Sequence, residues 1–150
     1  MGSNAYRCAH GLPHKELLDA CDKMGMLVID ENRNFETSEE GLEQLRTMVL
    51  RDRNHPSVIM YSIFNEEPLQ GTEEGRRMAH TMREEIRALD DTRFVTGAMH
   101  GGIDLEESAV DSLDVCGINY QTEQYDSFHK KHPDMPVFAS ESTSSFSVRL

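Results

Sequence analysis

Val58-Ile59-Met60-Tyr61-Ser62-Ile63, followed by Phe64 and then Asn65-Glu66-Glu67, is the stretch on which the reading of the fold turns. It is short, almost continuously apolar, and it ends abruptly in polar groups. A strand with both faces packed against other elements has this pattern. Working outward, the same pattern recurs. Leu27-Val28-Ile29 runs into Asp30-Glu31, and Phe94-Val95-Thr96 ends near Gly97. Val115-Cys116-Gly117-Ile118 runs into Asn119-Tyr120, and Val137-Phe138-Ala139 runs into Ser140-Glu141. Asn4-Ala5-Tyr6-Arg7 is a candidate sixth strand ahead of these five.

Between the runs lie segments of helical period. Pro13 to Met24 carries Leu17, Leu18 and Cys21 at helical spacing, with Pro13 suited to a first turn. Leu42, Leu45, Met48 and Val49 form an apolar stripe closed by Asn54-His55-Pro56. Met78, Met82, Ile86 and Leu89 form another, with Glu and Arg on the remaining faces. Methionines placed on such stripes read as core filler. Strand and helix in alternation imply parallel βα units. The polar residues gather just after the strands, which is the catalytic face of a βα barrel or the ligand crevice of an open doubly wound sheet. No Gly-x-Gly-x-x-Gly or Walker-type loop follows any run, which favours the barrel. The expected fold is therefore an α/β, parallel (β/α)8 TIM barrel. It is expected to be incomplete, because a closed barrel needs eight strands and about 250 residues. The 150 residues are read as one partial domain, 1–150, and as a fragment.

Composition narrows the partners. The chain carries 27 acidic against 15 basic residues, a formal net charge of −12. Nucleic acid and anionic membrane are repelled by such a surface and are not expected as partners. No stretch approaches the ~20 apolar residues that span a bilayer, and the N-terminus lacks a charged-then-apolar signal pattern. The three cysteines, Cys8, Cys21 and Cys116, are odd in number and lack Cys-x-x-Cys spacing. They point to a reducing, cytoplasmic setting with no structural disulfide. Trp is absent, which is unusual for a sugar-binding protein.

Two carboxylates stand out as candidate catalysts. Glu66 follows a buried strand and is preceded by Asn65, an amide able to donate to and accept from a sugar hydroxyl. A carboxylic acid at the rim of an apolar barrel is partly desolvated, which favours its protonated form. Glu67, before Pro68, points elsewhere if Glu66 faces the axis. Glu141 ends a later strand, and Tyr120, between them in strand order, could donate to its carboxylate and keep it ionised. A lone Glu at a strand end is usually a solvated loop carboxylate. Asn-Glu, Asn-Tyr and Ser-Glu at the same end of successive strands are what shift the reading toward chemistry.

At these residues the chain resembles the barrel domain of family 2 glycoside hydrolases, the β-galactosidase, β-glucuronidase and β-mannosidase group. Arg51-Asp52-Arg53-Asn54-His55-Pro56-Ser57-Val58-Ile59, then Ser62-Ile63 and Asn65-Glu66, is similar to that family's most distinctive signature. Asn4-Ala5-x-Arg7-x-x-His10, Leu17-Leu18-Asp19-x-Cys21-Asp22-x-Met24-Gly25 and Asp30-Glu31 resemble the segment before it. Arg7-Cys8 and Arg51 to Pro56 resemble the β-galactosidases in particular. On this resemblance Met1 to Ala5 is native barrel sequence, and Ser140 to Ser145 with Val148-Arg149 resembles the segment after the nucleophile. The resemblance implies barrel strands two to seven, with the family's β-sandwich domains absent from this chain. It implies a retaining mechanism with Glu66 as acid/base and Glu141 as nucleophile. Asn65 would contact the sugar 2-hydroxyl, Tyr120 would support the nucleophile, and Arg7, His10 and Asp30 or Glu31 would line the sugar pocket.

Several positions depart from the family pattern. Tyr61 stands where the family usually has Trp. Phe64 stands where many members have Gly, so that its ring either narrows the pocket or fills core. Some members bind magnesium through a Glu and a His after the third strand. Here Glu36-Thr37 is followed by Ser38, and neither metal nor cofactor is expected. His55 reads as a structural residue beneath its strand. The expected reaction is hydrolysis of a terminal β-linked sugar, most readily a β-galactoside, with β-glucuronide and β-mannoside as alternatives within the family. Two rivals are a non-catalytic fragment, whose bare strand edges could pair with a second copy as a homo-oligomer, and a phosphate-using barrel enzyme of another family.

Overall fold

The computed structural model describes residues 2–144, so the expectations placed on Met1, Ser145, Val148 and Arg149 lie outside the described residues. Six strands follow one another in sequence and in space: β1 Ala5–Arg7, β2 Leu27–Glu31, β3 Val58–Asn65, β4 Phe94–Met99, β5 Val115–Asn119 and β6 Val137–Glu141. Every neighbouring pair is parallel. Four of the five crossovers carry an α-helix, α1 Lys15–Met24, α2 Glu39–Asp52, α3 Glu73–Leu89 and α4 Tyr125–Lys131, and the connection from β4 to β5 carries only a 3-10 turn. This is an incomplete TIM barrel, with β1 and β6 at its open edges. The candidate sixth strand at Ala5–Arg7 is present.

The strands extend past the apolar runs because their polar last residues, Glu31, Asn65, Asn119 and Glu141, still belong to the ladder. The chemistry-bearing side chains therefore sit on sheet and not on loops. Each long helix follows its expected stripe. Leu45, Met48 and Val49 of α2 and Met82 and Ile86 of α3 are fully buried. Ser38 and Thr72 cap these two helices by accepting from Gly41 N and Gly75 N, both at 3.1 Å. Such caps each stabilise by about 1 kcal/mol. Acidic residues fill the first turns of α2 and α3, and Arg51 and Arg87 sit in their last turns, matching the helix dipole.

Two details differ from the sequence reading. Pro13 lies before the N-cap of α1, His14, and so does not occupy the first turn. The short α4 and the 3-10 turns at Ala109–Ser112 and Thr122–Gln124 were not anticipated. They are too short to show a helical period, and α4 is held mainly by the fully buried Phe128.

The departures from the family pattern are packed into the core. Tyr61 is fully buried and donates from its hydroxyl to Asp90 Oδ2 at 2.9 Å. Burial alone would raise the Asp90 carboxyl. The hydrogen bonds from Thr92, Tyr61 and Arg93 outweigh it and bring it down to about 2. Phe64 is also fully buried, with its ring centroid 4.8 Å from that of Phe35. Its ring occupies the space a side chain at Gly97 would need, since a Cβ there would lie 2.5 Å from Phe64 Cε1. Phe64 therefore fills core. His55 lies beneath β3, its Nδ1 2.7 Å from Asp22 Oδ2.

Candidate active site

The C-terminal ends of the six parallel strands lie together at one end of the sheet, and all but β4 finish there in a polar residue. There the guanidinium of Arg7, ending β1, donates through three nitrogens. Nε reaches Glu31 Oε2 at 2.8 Å, Nη2 reaches Asn65 Oδ1 at 2.7 Å, and Nη1 reaches Glu141 Oε1 at 2.8 Å. One side chain thus links β1 to β2, β3 and β6. His10 Nδ1 lies 3.0 Å from Glu31 Oε1, and its Nε2 lies 3.9 Å from Glu141 Oε1. Arg7, His10, Glu31, Asn65 and Glu141 are therefore brought together as expected.

The second half of the network runs through Asn119, which is fully buried at the end of β5. Its Nδ2 donates to Asn65 Oδ1 at 3.1 Å and to Glu66 Oε1 at 2.7 Å, and its Oδ1 accepts from Ser140 Oγ at 2.6 Å. With Oδ1 of Asn65 taken by Arg7 and Asn119, its Nδ2 is the group left to donate. Tyr120 donates from its hydroxyl to Glu141 Oε2. Glu66 and Tyr120, one residue beyond β3 and β5, both have left-handed backbone, with φ of 53° and 62°. Such a conformation is unfavourable for residues bearing a Cβ and concentrates at functional sites. It lets each side chain turn back over the strand ends it has just left.

Electrostatics separate the groups further. Burial works to raise the Glu141 carboxyl, but the hydrogen bonds from Tyr120 and Arg7 prevail and hold it below the usual range. The acceptor carboxylate in turn pushes the Tyr120 phenol up. Glu141 is thus an ionised, partly exposed carboxylate held by a guanidinium and a phenol. Glu66 shares the same mouth but receives an amide donor in place of a cation. The two carboxyl groups thus meet different partners, a guanidinium and a phenol at Glu141 and an amide at Glu66. Glu67 is apart from them, with its carboxyl raised by burial and drawn back by Arg33.

Asp30 is the correction among the expected pocket residues. It precedes Glu31 on β2, so its side chain leaves the opposite face of the sheet. It is fully buried, its carboxyl raised to about 8 by burial and then by Asp52 beside it. Of the pair Asp30 and Glu31, only Glu31 joins the mouth. His100 is a site residue the sequence reading did not single out, and Asn119 and Ser140 entered it only as parts of the Asn-Tyr and Ser-Glu pairs, with no role of their own. Asn119 ends an apolar run just as Asn65 does, so the criterion that singled out Asn65 applies to it equally. His100 immediately follows β4, which runs two residues past the expected end near Gly97, so the strand-end criterion was applied too early to find it.

Asp19, Asp22 and His55 offer ligand atoms within 4.8 Å of one another and are the metal-capable cluster among the described residues. They lie at the other end of the strands. Asp22 already accepts from Ser57 N at 2.9 Å, as well as pairing with His55, which accounts for the arrangement without an ion.

Comparison with known proteins agrees with this fold. The family described as glycosyl hydrolases family 2, TIM barrel domain, matches residues 1–39 and 32–144. The chain is 31% identical over 195 residues to Beta-galactosidase BoGH2A of Bacteroides ovatus, covering 99% of this chain and 23% of that protein. It is 31% identical over 139 residues to Beta-glucuronidase of Mus musculus, covering 86% of this chain and 21% of that protein. Among solved structures, a glycosyl hydrolase family 2 member from Bacteroides cellulosilyticus superposes with a TM-score of 0.88 at 43% identity, over 94% of this chain and 20% of that one. The beta-D-glucuronidase of Dictyoglomus thermophilum superposes with a TM-score of 0.76 at 25% identity, over 93% of this chain and 30% of that one. The chain thus spans roughly a fifth of the curated relatives it matches.

Proposed function

The chain belongs to family 2 of the glycosyl hydrolases, in its TIM barrel domain, and on that premise we propose that it hydrolyses a terminal β-linked sugar by double displacement. Glu141 attacks the anomeric carbon while Glu66 protonates the departing oxygen. Glu66 then takes a proton from the water that releases the sugar from Glu141. The observation that carries this reading is the continuous chain of hydrogen bonds from Glu141 through Arg7, Asn65 and Asn119 to Glu66. It places two carboxyls distant in sequence at one opening. Arg7 and Tyr120 keep the nucleophile charged and oriented, and Asn65 and Glu31 are positioned to meet sugar hydroxyls.

A β-galactoside is the preferred substrate, ahead of β-glucuronide and β-mannoside. Arg7, the guanidinium at the centre of the mouth, already donates to three acceptors, so it has little to offer a uronate carboxylate. A neutral hydroxyl needs only the amide and carboxylate groups around it. Among the described residues no helix is long and apolar enough to cross a membrane. The three buried thiols suit a cytoplasmic setting, and the open edges β1 and β6 could pair with a second copy.

A mechanism-based 2-fluoro-galactoside, trapped on the protein and mapped by peptide mass, tests the assignment. The label is expected on Glu141, and Glu141→Gln is expected to abolish turnover of nitrophenyl β-galactoside. A label on Glu66 or Glu31 would overturn the roles, and faster labelling by the glucuronide reagent would overturn the sugar.

A further inference from the structure

Beside Glu66 lies a groove that the bond-cleaving scheme does not use. It forms where the turn after β3 and the longer connection after β4 run side by side, and it encloses 270 Å³. Its walls include Pro68, Gly71, His100, Gly102 and Leu105. The two loops meet backbone to backbone at their glycines: a Cβ on Gly102 would lie 2.8 Å from Gly71 Cα. Such a contact closes the groove floor in a way side chains at these positions would prevent.

His100 stands on the seam between groove and carboxylates. Its Nδ1 is 3.9 Å from Glu66 Oε1, and its ring meets that of Tyr120 edge-on with centroids 6.0 Å apart. The imidazole is nearly half exposed, yet its backbone is tightly held. The buried Gln70 donates from Nε2 to His100 O at 2.6 Å and accepts from His100 N at 3.2 Å. Gly101 N donates to Gln121 Oε1 at 2.8 Å. Two amide side chains, one from each flanking loop, thus preorganise an exposed turn, which is a hallmark of a binding wall.

We propose that this groove is the subsite for the leaving group and that it receives a second sugar ring, with His100 as its inner border and Leu105 as its apolar wall. The proposal rests on Glu66 being the acid that protonates the departing oxygen. Whatever that oxygen carries must lie beyond Glu66, and the groove adjoins that carboxyl through the His100 ring that forms part of its wall. Its chemistry suits a sugar, which has an apolar ring face and a hydroxyl edge. Pro68 and the half-exposed Leu105 offer the first a surface, and the His100 ring offers the second a partner. The volume falls just under the ~300–1,000 Å³ of whole ligand sites, which matches one ring.

Two measurements test the proposal. For one glycone, kcat/KM is compared between the glycosyl fluoride and a β-linked disaccharide. The disaccharide-to-fluoride ratio is expected to fall at least about tenfold in Leu105→Ala and in His100→Ala, the scale of one lost apolar or polar contact. An unaltered ratio overturns the proposal. The second measurement needs no turnover: NMR of the Leu105 methyl and His100 ring signals during titration with a thio-linked disaccharide and with the matching methyl glycoside. Shifts are expected with the disaccharide alone; equal shifts with both ligands, or none with the disaccharide, overturn the subsite. Made in Glu141→Gln, this titration reports on the groove even if the catalytic roles of Glu141 and Glu66 prove wrong.

Discussion

Arg7 Nη1 and Glu141 Oε1 are 2.8 Å apart although they belong to the two opposite edges of a six-stranded sheet. In a flat sheet with strands about 4.8 Å apart those edges would be separated by about 24 Å. The ion pair is possible because the sheet curls, and it ties the curvature to the chemistry. The same guanidinium that spans the opening holds the carboxylate in its charged form.

Arg7→Lys is therefore expected to lower kcat/KM by about 100-fold, the scale of losing one positioned donor at a charged site. An ammonium cannot reproduce the three-way fork. The sign for pH follows from Glu141, whose carboxyl is depressed in the folded protein. Weakening its cation raises it, so the acid limb of the pH–rate profile moves to higher pH. An unmoved acid limb counts against the role of Arg7.

Glu66 invites a comparison of two inactive variants. Its φ of 53° is open to glycine and strained for alanine. Glu66→Gly is expected to be about 1 kcal/mol more stable than Glu66→Ala in urea denaturation, the reverse of the order in regular secondary structure.

Asp30 makes stability depend on pH in a defined direction. Its carboxyl is raised from the ordinary 3.8 to about 8, through burial first and Asp52 next. Between those values the folded chain holds a proton that the unfolded chain has released, so this contribution is complete at low pH and is lost as pH rises through about 8. Its slope approaches about 1.4 kcal/mol per pH unit at most. Asp30→Asn keeps a neutral donor beside Asp52 and removes the dependence. Relative to the parent, the variant should gain stability steadily from pH 4 to pH 8 in thermal melts; a constant offset would contradict a protonated Asp30.

Gly97→Ala should destabilise by about 1–3 kcal/mol, because the new methyl meets the Phe64 ring. Phe64→Leu in the same chain should recover part of that loss, and a double-mutant cycle by chemical denaturation measures the coupling.

The strands, the long helices and their parallel order were legible because continuous apolar runs and helical stripes report burial locally. Glu66, Asn65 and Glu141 were legible because a polar residue ending a buried run must emerge at the rim. The register of Asp30 against Glu31 was not, since both end the same run and only the pleat decides which faces the mouth. The role of Phe64 was open for a related reason: its ring could fill core or narrow the pocket until Gly97 and Phe35 were seen to enclose it.

Residue order alone was enough to read a barrel of βα units with acids at one rim, because periodicity and strand-end chemistry act over a few neighbouring positions. The curl that joins Arg7 to Glu141, the bridge through Asn119, and the wall at His100 were decided only on folding. Each depends on contacts between segments far apart in the chain, whose distances follow from the accumulated twist and packing of the whole sheet.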